Sequence, residues 1–475
     1  GQRAEMTKLG NDFENFKTWD KENYFHPWEG LEVQGAGKAD RTFSEYAEGI
    51  YVYDEHGNKV IDGPGGMWCM QLGYGNAEIA DAMAAQARKM AYCSPFSEAT
   101  SVSAEFAHAI AERAPGDLNR VYFTTGGSTA VDTAIRFVHF RNNLLGKPAK
   151  KRIITRAHAY HGGTYLTASL SGKPSERQWF DTDQVLPHFL PDVNAFRRPA
   201  GMSIEAFLDE KVADLENAIL ELGADNAAAF IAEPVLGSGG VIVPPAGYHK
   251  RCLEVCRKHD VLYISDEVVT GFGRLGHWFA SEELFGITPD IITCAKGLTS
   301  GYAPMGAAIF SDRLFKDIEG DVSKDVYFTS GYTYSGHPVC AAAGLKNIEI
   351  FERDGILEHV RKVTPHFQKR LHQMLELPLI VDVRGMGLVG CIECSLTREG
   401  QASAGIDATI GAVIDARCQE LGLMVRPYGN MAIFSPPLVI TEAQIDDMFD
   451  MLTEGVQRAT RELLEQGLEL EQERA

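Results

Sequence analysis

The sequence predicts an α/β fold: a large domain on a mostly parallel sheet with helices on both faces, then a smaller α+β domain. Three observations predict it. From about Asn76 onward, short apolar runs alternate with stretches of helical period. Several of those runs, such as "AAAFIAEPV" and "PDIITCA", are apolar throughout, as strands covered on both faces are. After about Pro338 the texture changes to long helices with a few alternating strands.

In chain order, "GIYVYDEHGNKVIDG" reads as a hairpin, two β-rich runs around "DEHGN". "NAEIADAMAAQARKMAY" is helical, with Ile79, Met83, Ala87 and Met90 on one face. "RVYFTTGGSTAVDTAIRFVHFRNNL" is a strand, a glycine turn and a helix. "KRIITRAHAYHGG", "AAAFIAEPV", "VLYISDEVV", "PDIITCA" and "GAAIFS" are further strands, with "AGYHKRCLEVCRKHD" a helix among them. "VCAAAGLKNIEIFERDG" and "GILEHVRKVTPHFQKRLHQMLE" are long helices, followed by strands near "LIVDVRGMGLVGCIEC" and "LMVRP". The last helix opens at "TEAQ", where Thr441 and Gln444 form a capping box ahead of an apolar face of Ile445, Met448, Met451 and Leu452. The expected division is 1–75 as a segment packing with the small domain, 76–337 as the large domain and 338–475 as the small domain.

Composition narrows the functions. The 475 residues carry 65 acidic against 45 basic side chains, a formal charge of −20. Such a field repels polyanions, so nucleic acid is excluded as a partner and small metabolites are favoured. Nine cysteines at scattered spacings suit reduced thiols in a cytoplasmic protein. The pair in "CIEC", Cys391 and Cys394, lies on a strand pattern with no second pair to complete a zinc site, so it reads as structural and no metal is expected. No apolar run approaches the ~20 residues that span a bilayer, and "GQRAEMTKLG" lacks the apolar core of a signal peptide.

The chemistry begins at "VLYISDEVVTGFGR", where a buried strand breaks off at Asp266 and Glu267. An aspartate in that position also occurs beside magnesium in nucleotide-hydrolysing enzymes. No GxxxxGK[ST] is present, however, and no GxGxxG is read after a strand, so the nucleotide readings lack their anchors. Thirty residues further on, Lys296 follows the short strand of "PDIITCAKGLTSGYAPMGA". Alone it reads as a loop lysine; desolvated, it would be an imine-forming nucleophile. In "VYFTTGGSTAVDTAIR", Gly126, Gly127 and Ser128 stand between a strand and a helix, either as a plain helix cap or as a phosphate site. A phosphate cup, a carboxylate and a lysine together describe one cofactor, pyridoxal phosphate.

At this point the sequence resembles the class III pyridoxal-phosphate aminotransferases of fold type I along nearly its whole length. The resemblance is carried by "TTGGSTAVDTAIR", "HAYHGGT", "AEPVLGSGGVIVPP", "SDEVVTGFGR", "CAKGLTSGYAPMGA", "YTYSGHPVCAAA" and "VRPYGNMAIFSPPL". It is closest to the ω-amine:pyruvate branch. The resemblance implies that Lys296 bonds the cofactor and moves the proton, and that Asp266 pairs with the ring nitrogen. Gly127 and Ser128 would hold the phosphate, Tyr160 and Val268 would press on the two ring faces, and Glu233 would support the site. Thr333 would reach the phosphate of a neighbouring subunit, implying a homodimer or a tetramer. Glu267, alternating to the other face, would form a structural hydrogen bond.

For substrates, the resemblance implies an amine or ω-amino acid donor and a keto acid, pyruvate, as acceptor. The branch that uses 2-oxoglutarate carries a gating Glu and a carboxylate-binding Arg where this chain has Ser238 and Ile433. Arg426 matches the movable arginine of the pyruvate branch, and Trp68, Tyr92 and Phe96 would line the pocket. Thr129 replaces a common Glu, and Tyr428 and Asn430 replace a smaller residue and an Asp; the latter pair puts in doubt how Arg426 moves. The competing readings are a 2-oxoglutarate-dependent relative, a decarboxylating transaminase, an aminomutase, and a cofactor-binding protein without turnover.

Overall fold

The computed structural model describes residues 12–32, 41–320, 325–397 and 406–471; the opening ten residues, read above against a signal peptide, lie outside them. Near the N-terminus β1 (Ser44–Glu48), β2 (Tyr51–Asp54) and β3 (Lys59–Asp62) form an antiparallel meander. The hairpin expected around "DEHGN" is β2–β3. Asp54 Oδ1 accepts from the amides of His56 and Asn58 at 2.9 and 2.8 Å, an Asx-type turn that also uses Gly57 at φ +79°.

The central sheet is built from β4 (Leu118–Thr124), β5 (Arg152–Arg156), β6 (Pro187–Leu190), β7 (Ala227–Ala232), β8 (Leu262–Asp266), β9 (Ile291–Cys294) and β10 (Gly306–Ser311). Their spatial order is β4-β10-β9-β8-β7-β5-β6. Strands β9, β8, β7, β5 and β6 run parallel, whereas β10 is antiparallel to both neighbours. The physical reason is length: segment 295–305 is too short to carry a helical crossover. Two antiparallel steps return β4 to the direction of β9, so β4, β5, β7, β8 and β9 all end at one edge. Every residue of β7, β8 and β9 is buried. Along β8, Tyr263 enters one apolar cluster with Phe230 and Cys252, while Ile264 enters another with Val131 and Ile135 on the opposite face.

Helices Pro338–Arg353 and Ile356–Gln373 lead into a second sheet. It comprises β11 (Ile380–Met386), β12 (Val389–Cys394), β14 (Arg426–Tyr428) and β15 (Met431–Phe434), in the order β11-β12-β15-β14. The remaining strand, β13 (Leu423–Met424), joins the N-terminal sheet instead, pairing in parallel with β3 through Leu423–Ile61 and Met424–Asp62. The final helix, Glu442–Glu465, begins with the expected capping box, and Ile445, Met448 and Leu452 are buried. All nine cysteines are free, and Cys391 and Cys394 are buried on β12.

Two details differ from the sequence reading. In helix Ala77–Lys89 only Ile79 is buried; Ala87 is exposed and Met90 falls just past the helix end, where no neighbouring element covers it. Gly271, Gly273 and Gly276 do carry the spacing of a dinucleotide fingerprint, which the sequence reading passed over. They form a tight reversal, with the amide of Phe272 bonding the Trp278 carbonyl at 2.7 Å and that of Gly273 the His277 carbonyl at 3.0 Å. No helix starts there, so the spacing makes no phosphate site. Among the described residues no helix is long and apolar enough to cross a membrane, and no group of His, Cys, Asp and Glu could hold a metal ion.

Candidate active site

The strand edge where β4, β5, β7, β8 and β9 end gathers the polar groups, as open α/β sheets place their ligands. Asp266 ends β8 and is only 4% exposed. Its Oδ1 accepts from the Val268 amide at 3.1 Å and the Thr293 hydroxyl at 3.3 Å, and its Oδ2 lies 2.6 Å from His161 Nδ1. A carboxylate buried this deeply persists because each oxygen has a partner. His161 was missed as a site residue. Its neighbour Tyr160 was taken from "HAYHGG", but nothing local in that stretch shows that the imidazole turns toward a strand 105 residues away.

Glu267, the next residue, takes the other face. Its oxygens accept from Thr270, Ala280 and Ser281, so it is structural, as expected. Burial pushes its pKa up.

Lys296 stands two residues past β9 with φ +38°, in the left-handed region that side chains other than glycine seldom adopt. Strain of this kind is held by surrounding structure and concentrates at functional sites. Its Nζ donates to the Met67 carbonyl at 3.0 Å. Burial pulls the Lys296 pKa below its ordinary value, an effect that the charges of Cys69 and Asp266 oppose.

The helix Gly127–Leu144 starts directly after β4, and its first-turn amides have no acceptors within the helix. At Gly127 an added Cβ would stand 3.1 Å from Val268 Cγ1, a tight contact, so the helix start packs closely on Val268. At Gly162, φ +139°, a Cβ would stand 2.5 Å from Ser128 Oγ, and that hydroxyl accepts from the Gly163 amide at 3.0 Å. The loop after β5 therefore closes onto the start of the helix. Glu233, just beyond β7, ties in the same loop: Oε2 accepts from the Tyr160 amide at 3.1 Å and Oε1 from the Gly237 amide at 3.2 Å. Burial raises its pKa, the charge of Asp266 adds to the effect, and His161 opposes it.

These contacts bring Gly127, Ser128, Tyr160, Glu233, Asp266, Val268 and Lys296 to one place. The residues fit pyridoxal phosphate: an anion cradle of free amides and a hydroxyl, a buried carboxylate, a sunken lysine, and a buried His161 Nε2 with no partner. Arg426, on β14, donates to the Gly66 carbonyl at 2.6 Å. Trp68 is more enclosed than a pocket wall was expected to be. It packs with Val235, Leu275 and Ile433, and Gly237 runs against its ring. Tyr92, Phe96 and Thr333 form a separate surface group. The Tyr92 hydroxyl donates to the Thr333 carbonyl at 2.8 Å, its ring meets Tyr334 edge-on, and Phe96 is 79% exposed beside Gly331. Within one chain Tyr92 meets Thr333 and Tyr334, and Phe96 meets Gly331, rather than Lys296.

Comparison with known proteins agrees with this geometry. Residues 35–456 match the family described as aminotransferase class-III. The putrescine–pyruvate aminotransferase of Pseudomonas aeruginosa is 39% identical over 409 residues, 85% of this chain and 88% of that protein. The chloroplastic gamma aminobutyrate transaminase 3 of Solanum lycopersicum is 38% identical over 406 residues, 85% and 78% of the two chains. Among solved structures, the omega transaminase of Pseudomonas jessenii in complex with PMP superposes with a TM-score of 0.90 at 35% identity, covering 94% of this chain and 98% of that one.

Proposed function

The chain belongs to the class-III aminotransferases, a pyridoxal-phosphate-dependent family, and from that premise we propose that it moves an amino group from a primary amine or ω-amino acid to pyruvate. The observation that carries this reading is the convergence of Lys296, Asp266 and the glycine-led helix at a single sheet edge. Ser238 and Ile433 stand where the glutamate-using branch carries a gating Glu and a carboxylate-binding Arg, which supports pyruvate over 2-oxoglutarate; losing both together is coherent, because a buried arginine without its carboxylate is costly.

Bound pyridoxal phosphate supplies an aldehyde for the amine and a ring that accepts electron density. The chain's residues do the rest. Lys296 Nζ would be the base that takes the proton from the amine-bearing carbon and delivers it to the carbon that carried the cofactor's aldehyde, and its lowered pKa keeps more of it neutral for that task. Asp266, held by His161, Thr293 and the Val268 amide, keeps a proton on the ring nitrogen through a fixed charge. The amides of Gly127 and Ser128 anchor the phosphate, Tyr160 and Val268 bracket the ring, and Glu233 holds the Tyr160 loop in place. Arg426 clamps the keto-acid carboxylate and Trp68 borders the substrate, while Tyr92 and Phe96, which stand apart from Lys296 within one chain, would border the substrate of a partner copy. Thr333 completes the site of a partner copy in a homodimer, and the protein works in the cytoplasm.

The purified holoenzyme should show a visible absorption band that Lys296→Ala lacks. A primary amine should bleach it and pyruvate should restore it. Restoration by 2-oxoglutarate alone would overturn the acceptor, and a spectrum indifferent to Lys296 would overturn the mechanism.

A further inference from the structure

We propose that Lys173 reads the far end of the amine donor, favouring ω-amino acids, whose distal group is a carboxylate, over diamines. The inference rests on the aminotransferase reading above and adds its donor class. Lys173 precedes the helical turn Pro174–Arg177, and its side chain is 14% exposed. Its Nζ lies 5.8 Å from the Tyr160 ring centroid and 5.9 Å from that of Tyr428. It donates to Ser238 Oγ at 2.7 Å and lies 3.5 Å from Glu176 Oε1. An ammonium between two phenol rings is held in orientation by their quadrupoles, more strongly as water is excluded.

Two of these partners, Ser238 and Tyr428, are uncharged and leave the ammonium's charge intact. A Glu at 238 would neutralise Lys173, whereas a serine hydroxyl orients it and leaves its charge intact. Tyr428 stands on β14 two residues beyond Arg426, so Lys173 is fixed from the side of that strand as well as from the loop carrying Tyr160. The remaining carboxylate, Glu176, lies 3.5 Å away and is 26% exposed, so an arriving anion competes with a partly solvated partner. A distal carboxylate then finds a pre-placed cation, and a distal ammonium finds a like charge in a site of low dielectric. Similarity alone does not choose between these donors, since relatives named for putrescine and for gamma aminobutyrate stand at 39% and 38% identity.

The test compares 6-aminohexanoate, hexane-1,6-diamine and hexylamine as donors for the holoenzyme and for its Lys173→Met, Lys173→Arg and Glu176→Gln forms. The wild type should prefer 6-aminohexanoate to the diamine. Lys173→Met should lower the kcat/KM ratio of 6-aminohexanoate to hexylamine by about tenfold, chiefly through KM, as expected for one lost charge-assisted contact. Lys173→Arg should restore most of that ratio, and Glu176→Gln should raise it. Calorimetric titration with hexanoate, which cannot react, should weaken in parallel for Lys173→Met. A wild type that prefers the diamine, equal losses on all three donors, or hexanoate binding indifferent to Lys173→Met would overturn the inference. A wild type that transfers from none of the three would instead overturn the donor class of the proposed function.

Discussion

At the scale of single residues, the site works by placing charged groups where water solvates them poorly. Lys296 shows this most plainly, because burial disfavours its charged form and its ordinary value is 10.5. In the cofactor-free protein the sign follows directly. As pH rises toward 10.5 the folded chain releases the Lys296 proton before the unfolded chain does, so the unfolded state binds more protons and folding gains stability. Lys296→Met removes that dependence. The melting temperature of the cofactor-free wild type relative to Lys296→Met should therefore climb as the pH is raised toward 10.5. A gap that is flat, or that narrows, would show that Lys296 is not desolvated.

Much at this scale was legible in the sequence, and the reason is positional. Asp266, Lys296 and Gly127 follow strands directly, and the ends of parallel strands share an edge whatever the details of packing. His161 was not legible, because its role depends on a rotamer that meets Asp266 across the sheet edge. The enclosure of Trp68 was equally hidden, since it depends on Gly237 passing beneath the ring.

At the scale of elements, pattern gave the strands and caps while packing decided the rest. The strand run of "AAAFIA" could be read because a strand buried on both faces must be apolar throughout. The outer face of helix Ala77–Lys89 could not, because its burial depends on how far the helix Pro338–Arg353 extends alongside it. That second helix offers a test of packing. Gly344 lies on it against Phe106 of helix Ser101–Arg113, and a Cβ at 344 would run into the Phe106 ring. Phe106 cannot yield, being fully buried and stacked on Phe123 at 5.5 Å. Gly344→Ala should cost about 1–3 kcal/mol in thermal or denaturant unfolding, overpacking outweighing alanine's better helix propensity. Pairing it with Phe106→Leu should recover part of that loss, and additive effects would mean the two do not meet.

At the scale of the whole molecule, one chain leaves part of its proposed machinery facing outward. Tyr92, Phe96 and Tyr334 are 40%, 79% and 59% exposed, an aromatic group beside Thr333 that water covers poorly. Thr333 gives its carbonyl to Tyr92, so its hydroxyl remains available to another molecule. The homodimer proposed above would account for both features at once. Two substitutions separate burial from cofactor binding. Phe96→Asp should convert the particle from twice the chain mass to a single chain in sedimentation velocity, and the protein should lose pyridoxal phosphate on dialysis. Thr333→Ala should leave the mass unchanged and weaken only cofactor retention, because it removes a hydroxyl and little apolar surface. If Phe96→Asp still sedimented at the mass of the wild type, this face would not be the interface, and Thr333 would have no route to a second site.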